Sequence, residues 1–124
     1  MAEFVDVTGA DEIQDGQMKK FTIGGREILV ARVGENFYAA DNRCPHMGGS
    51  LAHGKLEGTI VTCPRHHSQY DLSDGHNVRW TDWTGLKLGV AKVFKSPRPV
   101  RTYPVRVEGG RVLVGPERVP VAVG

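Results

Sequence analysis

Apolar and polar positions alternate over short runs along most of this chain, and turn residues break the runs repeatedly. Phe4-Val5-Asp6-Val7 predicts a first strand. The polar stretch Asp11 to Gly16 predicts a turn, with room for one short helical turn. Met18 to Ile23 and Arg26 to Val33 are apolar-rich runs separated by Gly24-Gly25. Both glycines can take positive φ, so the pair predicts a tight hairpin. Gly34-Glu35-Asn36 predicts the next turn and Phe37 to Ala40 the next strand, so three strands form a meander.

Farther along, Leu56 to Thr59 reads as a turn, and Ile60 to Thr62 and Gln69 to Leu72 as strands, the second closed by Ser73-Asp74-Gly75. Thr102 to Val107 and Val112 to Val114 flank Glu108-Gly109-Gly110 and predict another hairpin. Pro104 lacks an N–H and belongs at an edge or a bulge. Val119 to Val123 is a short apolar tail. The stretch from Asn77 to Pro99, with Trp80, Trp83, Phe94 and several lysines, fits a hairpin or an extended flap. No long helical pattern and no internal repeat is visible. The expected fold class is all-β, a small antiparallel β-sandwich, in a single domain spanning residues 1–124.

Composition narrows the class further. The chain has 124 residues with 16 Gly and 7 Pro, which suits short strands joined by tight turns. It has no run of about 18 apolar residues, so a membrane span is not expected. The acidic start, Met1 to Asp6, lacks a basic-then-apolar leader, and the expected location is cytoplasmic. The formal charge of +2 hides an asymmetry. From Gly75 to Arg101 six basic residues face one acid, Asp82, which fits a partner-docking face or a solvated loop equally well. Nucleic acid is a poor fit, because no recognition motif accompanies the low net charge.

Candidate chemistry gathers between Asn42 and Tyr70. Cys44-Pro45-His46 is followed, after 16 residues, by Cys63-Pro64-Arg65-His66. Both cysteines and two of the five histidines lie in these two short knuckles. Two cysteines in a cytosolic chain argue against a disulfide framework. Gly48 and Gly49 would let the backbone pass near a metal centre and aim N–H groups at it. On ligand chemistry alone, zinc is open, since it takes two Cys and two His tetrahedrally. Zinc fingers, however, group cysteines in one knuckle and histidines in the other. Here each knuckle gives one of each, which suits a binuclear centre.

The spacing Cys-x-His, then 16 residues, then Cys-x-x-His resembles the Rieske [2Fe–2S] signature. The resemblance extends to Phe37 through His46, Leu56-Glu57-Gly58, Val61 through Pro64, Tyr70-Asp71-Leu72, Gly75, and Tyr103 through Val107 with Gly110. Together these read like small disulfide-lacking ferredoxins associated with oxygenases. The resemblance implies a cluster-binding subdomain over about residues 43–72, and it leaves roughly 77–95 looking like an inserted flap. It implies one [2Fe–2S] cluster per chain, with Cys44 and Cys63 on one iron and His46 and His66 on the other. Neutral imidazoles in place of two thiolates remove negative charge. Such centres therefore have potentials of about −150 to +300 mV, above the roughly −400 mV of plant-type ferredoxins. No catalytic residue is implied.

Two departures from the family pattern stand out. High-potential members carry an extra cysteine in each knuckle, joined as a disulfide; the matching positions here are Gly49 and Arg65. Yet Ser68 and Tyr70 match hydroxyl donors of that branch, which reach a bridging sulfide and a cysteine sulfur. Such donors favour the reduced, more negative cluster and raise its potential. The second departure is His67, at a position usually occupied by Gly. It is expected beside the cluster as a surface or tuning residue rather than a ligand. His53 and His76 are expected to have no role.

The expected function is one-electron carriage by a soluble protein, from a flavoprotein reductase to a terminal oxygenase. Two alternatives stand beside it: a small subunit of a larger oxidoreductase such as an assimilatory nitrite reductase, and a zinc-stabilised binding module.

Overall fold

The computed structural model describes residues 4–44, 49–64, 67–79 and 99–116. The expectations for Trp80, Trp83, Phe94 and the 119–123 tail lie outside these residues. Eleven strands and two single 3-10 turns occur among the described residues, with no α-helix.

Three antiparallel sheets stack around one shared layer. The middle sheet holds the predicted meander: β2 (Met18–Ile23), β3 (Arg26–Val33) and β4 (Asn36–Asp41), with β9 (Thr102–Tyr103) added beside β4. The β2–β3 turn is Gly24-Gly25, and both residues have positive φ, 57° and 81°. Side chains alternate across a strand, so one strand can serve two cores. In β3, Ile28 and Val30 join one apolar cluster, while Leu29 and Ala31 join the other. In β4, Ala39 and Ala40 divide the same way. This two-sided burial explains why Ile28 through Ala31 reads as an unbroken apolar run.

On one face lies β1 (Val5–Gly9), paired with β11 (Arg111–Val114), which pairs in turn with β10 (Val105–Glu108). Val112 and Val114 point from this sheet into the cluster with Ile13, Ile28, Val30 and Tyr103. The predicted strand Thr102 to Val107 is in fact two strands. It breaks at Pro104, where the chain leaves the middle sheet and enters the outer one. A residue without an N–H suits the point where ladder bonding changes partner.

On the other face lies the second outer sheet, β5 (Lys55–Glu57), β6 (Ile60–Thr62), β7 (Gln69–Asp71) and β8 (Asn77–Arg79). One expectation changes here. Leu56 and Glu57 belong to β5, not to a turn, and pair with Val61 and Ile60. The turn needs only Gly58-Thr59, which frees Leu56 to pack against the core beneath. The stretch after Gly75 begins with a strand, β8, which adds to β7. This segment departs from and returns to one place, because Val100 N–H donates to the Gly75 carbonyl (2.8 Å).

Gly54 fixes the approach of the two knuckle loops. It ends the 3-10 turn Leu51–His53, donating its N–H to the Leu51 carbonyl. A Cβ at this position would lie 1.9 Å from the backbone oxygen of Thr62, the residue before Cys63. Only a residue without a side chain lets the exit of the first loop pass so close to the strand entering the second. Gly54→Ala is expected to destabilise the fold by about 2 kcal/mol, the scale of overpacking against an unyielding backbone. Urea unfolding measures this, and a change within about 0.5 kcal/mol of zero would contradict the packing argument.

Candidate metal centre

The two cysteines arrive at the site on different kinds of support. Cys44 follows the end of β4 and enters a loop whose neck is hydrogen-bonded. Its N–H donates to the Gly49 carbonyl at 2.8 Å, and Arg43 bridges Ser50 in antiparallel fashion. Cys63 follows β6 and precedes β7, so its loop is the tip of a hairpin. Cys63 N–H donates to the Ser68 carbonyl (2.8 Å), and His67 N–H donates back to the Cys63 carbonyl (3.0 Å). Both loops are thus closed at their bases by backbone hydrogen bonds.

Both thiols are buried at 1% exposure, in the apolar cluster between the middle sheet and the β5–β8 sheet. No disulfide joins them. Two buried sulfurs on hydrogen-bonded loops fit thiolate ligation of iron. His46 and Gly48, in the first loop, and Arg65 and His66, in the second, lie outside the described residues.

Tyr70 comes from β7 and is fully buried, with its hydroxyl 3.7 Å from Cys44 Sγ. When Cys44 is a thiolate, only the phenol has a hydrogen to give, so Tyr70 donates. Burial pushes the Tyr70 phenol well above its usual pKa, and the neighbouring Cys44 adds to the rise. A hydrogen bond from Ser68 works the other way. Tyr70 therefore stays protonated and able to donate throughout the neutral range. Ser68 is itself fully buried, between the second loop and β7. The structure brings Cys44, Cys63, Ser68 and Tyr70 into one neighbourhood.

His67 is exposed, and it is the only non-glycine residue with positive φ (59°) among the described residues. The left-handed conformation is the physical reason a glycine suits this position. His53 ends the 3-10 turn Leu51–His53. His76 pairs with Asp74 on an exposed turn (2.6 Å).

Two buried polar groups carry no signal of their own in the sequence. Asn42, two residues before Cys44, is buried with its amide hydrogen-bonded to Ser50 and Ala52. The Tyr103 hydroxyl donates to the Asp41 carboxylate and accepts from Arg26. Burial and that carboxylate push the Tyr103 phenol up to about 12. Each pair is distant along the chain or mediated by a loop, so no spacing rule reveals it.

Stacked antiparallel sheets carrying two closed loops, each with one buried cysteine, define an all-β protein with a two-loop thiolate site. The chain belongs to the Rieske [2Fe–2S] domain family, whose model matches residues 3–104. It is 34% identical over 119 residues to the ferredoxin component of the alkene monooxygenase system of Xanthobacter autotrophicus, covering 95% of this chain and 85% of that protein. Among solved structures it is similar to the ferredoxin of carbazole 1,9a-dioxygenase from Nocardioides aromaticivorans. That match has a TM-score of 0.75 and 29% identity, over 93% of this chain and 99% of the other. It is also similar to a chain from a complex of reduced oxygenase and oxidised ferredoxin in carbazole 1,9a-dioxygenase. Here the TM-score is 0.72 with 26% identity, over 90% of this chain and 92% of the other. Zinc, open on ligand chemistry alone, gives way to the iron–sulfur cluster that the family implies. No helix among the described residues is long and apolar enough to cross a membrane.

Replacing His67 by Gly removes the left-handed strain while adding backbone freedom to the unfolded chain. The expected net effect on unfolding free energy is between zero and a gain of about 1 kcal/mol. A loss of more than about 1 kcal/mol on denaturant titration would mean that contacts of the imidazole outweigh the strain.

Proposed function

We propose that this chain is a one-electron carrier of the cytoplasm, accepting from a flavoprotein reductase and delivering to a terminal oxygenase. The protein is not itself an enzyme; its relatives are named ferredoxin components of oxygenase systems. The observation that carries the reading is the pair of buried cysteines on closed loops, with a buried phenol against one sulfur, within a chain of this family. One [2Fe–2S] cluster per chain is proposed, with Cys44 and Cys63 on one iron and His46 and His66 on the other. A cluster held in this way supplies a reversible one-electron couple. The proposed domain layout is a single unit over 1–124, with the cluster subdomain near 43–72 and an insertion near 77–95.

The chain's own residues set the conditions around that couple. Cys44 and Cys63 hold their sulfurs away from water, where each hydrogen bond to sulfur counts for more than it would in solvent. Tyr70, aimed at Cys44, donates toward its sulfur, and Ser68, buried beside it and hydrogen-bonded to the Tyr70 hydroxyl, supports that donation; both are proposed to favour the more negative, reduced state. Their presence without a disulfide points to a potential above that of ordinary oxygenase ferredoxins. Gly48 is proposed to bring the backbone close to the cluster. His67, exposed at the base of the second loop, is proposed as a tuning residue at the surface beside it.

Iron and acid-labile sulfide analysis of the purified protein is expected to give about two of each per chain. A colourless protein holding one zinc would end the electron-transfer reading. Ser68→Ala and Tyr70→Phe are each expected to lower the midpoint potential by about 50 mV. That is the one-electron equivalent of a hydrogen bond of about 1 kcal/mol. Protein-film voltammetry measures it, and an unchanged potential in both variants would remove these hydroxyls from the tuning role.

A further inference from the structure

We infer that Asn42 is a positioning residue for the first thiolate loop and that Ser50 is its working partner. The inference rests on Cys44 being a cluster ligand and concerns what keeps that ligand in place. An asparagine offers two side-chain N–H donors, a carbonyl acceptor, and one backbone group of each kind. Buried at 1% exposure, Asn42 cannot leave these to water. Its backbone N–H donates to the Glu27 carbonyl on β3 (2.9 Å), and its backbone carbonyl accepts from Leu51 N–H (2.8 Å). Its side-chain amide donates to Ser50 Oγ (2.9 Å), and its side-chain carbonyl accepts from Ala52 N–H (2.8 Å).

These bonds meet at the neck of one loop. Asn42 stands where the chain leaves the middle sheet, and Ser50, Leu51 and Ala52 stand where the loop returns. Inside this clasp lie only Arg43 paired with Ser50, then Cys44 bonded to Gly49, then the four residues 45–48. The loop holds Cys44 and His46, so slack at the neck moves both. Neither Gly49 nor Arg65 is a cysteine, so no covalent tie joins the loops at these positions. Asn42 clasps the loop from within by hydrogen bonds, reaching with one side chain both the hydroxyl and the backbone across the neck. Aspartate at position 42 would keep the acceptor but lose the donor to Ser50 and add a buried charge. Leucine would lose both bonds.

The test uses the cluster-loaded protein and compares Ser50→Ala, Asn42→Ala, the double variant and a control, Val112→Ala. Val112 is buried in the opposite cluster, under the β1–β11–β10 sheet. Three quantities are read for each: the rate of cluster loss to an iron chelator well below the unfolding temperature, the electron paramagnetic resonance line shape of the reduced form, and the thermal midpoint. Ser50→Ala leaves the Asn42 amide without its acceptor and is expected to speed cluster loss about tenfold and broaden the resonance. Asn42→Ala is expected to do more, and adding Ser50→Ala to it to do nothing further, as for two residues acting through one bond. Val112→Ala is expected to lower the thermal midpoint without changing the rate of cluster loss. The proposal is overturned if Ser50→Ala releases the cluster at the parental rate with an unaltered resonance, or if Val112→Ala accelerates release equally. Should Asn42→Ala not accumulate folded, Ser50→Ala against Val112→Ala decides alone. A parental protein without iron and sulfide would instead remove the electron-carrier reading, a result distinct from either.

Discussion

Two backbone hydrogen bonds, from Cys44 to Gly49 and from Cys63 to Ser68, fix where the sulfurs of this protein sit. Each closes a short loop at its base, and the layered sheets beneath hold those bases still. A loop closed by hydrogen bonds resists distortion only while its anchoring strands are rigid. Here the anchors are the end of β4 in the middle sheet and the β6–β7 hairpin in the outer one. The centre of β3 and Ala39-Ala40 of β4 are buried on both faces, which is the most constrained environment a strand can have in a protein of this size. Precision at the thiols descends from that burial.

The surroundings of the sulfurs follow from the same layering. Cys44 and Cys63 belong to the core between two sheets, alongside Leu51, Val61 and Tyr70. Burying a phenol is costly unless its hydroxyl finds a partner. Tyr70 meets that requirement by facing Cys44 Sγ, so the need to satisfy a buried hydroxyl and the tuning of a sulfur are served by one contact. Such a contact also resists pH, because burial and the adjacent Cys44 both hold the phenol in its protonated form. Gly54 shows the steric side of the same economy. The two loops approach so closely that one backbone passes where a methyl group would stand.

Local signals made much of this architecture readable. Gly24-Gly25 between apolar runs identifies the β2–β3 hairpin because the turn depends on two adjacent residues alone. The four consecutive apolar residues of β3 announce burial, though not that two different cores share them. The sequence pattern misleads where pairing and burial, rather than the local residue type, decide the outcome. Leu56 belongs to a strand because Val61 pairs with it and the core accepts it, while its own neighbourhood resembles a turn. Thr102 to Val107 looks continuous, yet β4 claims one half and β11 the other, with Pro104 between them.

The sequence by itself determined the family and the chemistry on offer, because ligand type and spacing within a knuckle are local properties of the chain. It also determined that one position would be unusual: His67 stands where the backbone turns left-handed. Tertiary structure decided which hydroxyl meets which sulfur, since Tyr70 and Cys44 are 26 residues apart and meet only when β7 packs beneath the first loop. It likewise decided that Asn42, a polar residue two positions before a cysteine, becomes the clasp of that loop. Hydrogen bonds of this kind are set by burial and direction in three dimensions, and neither is written in the order of residues.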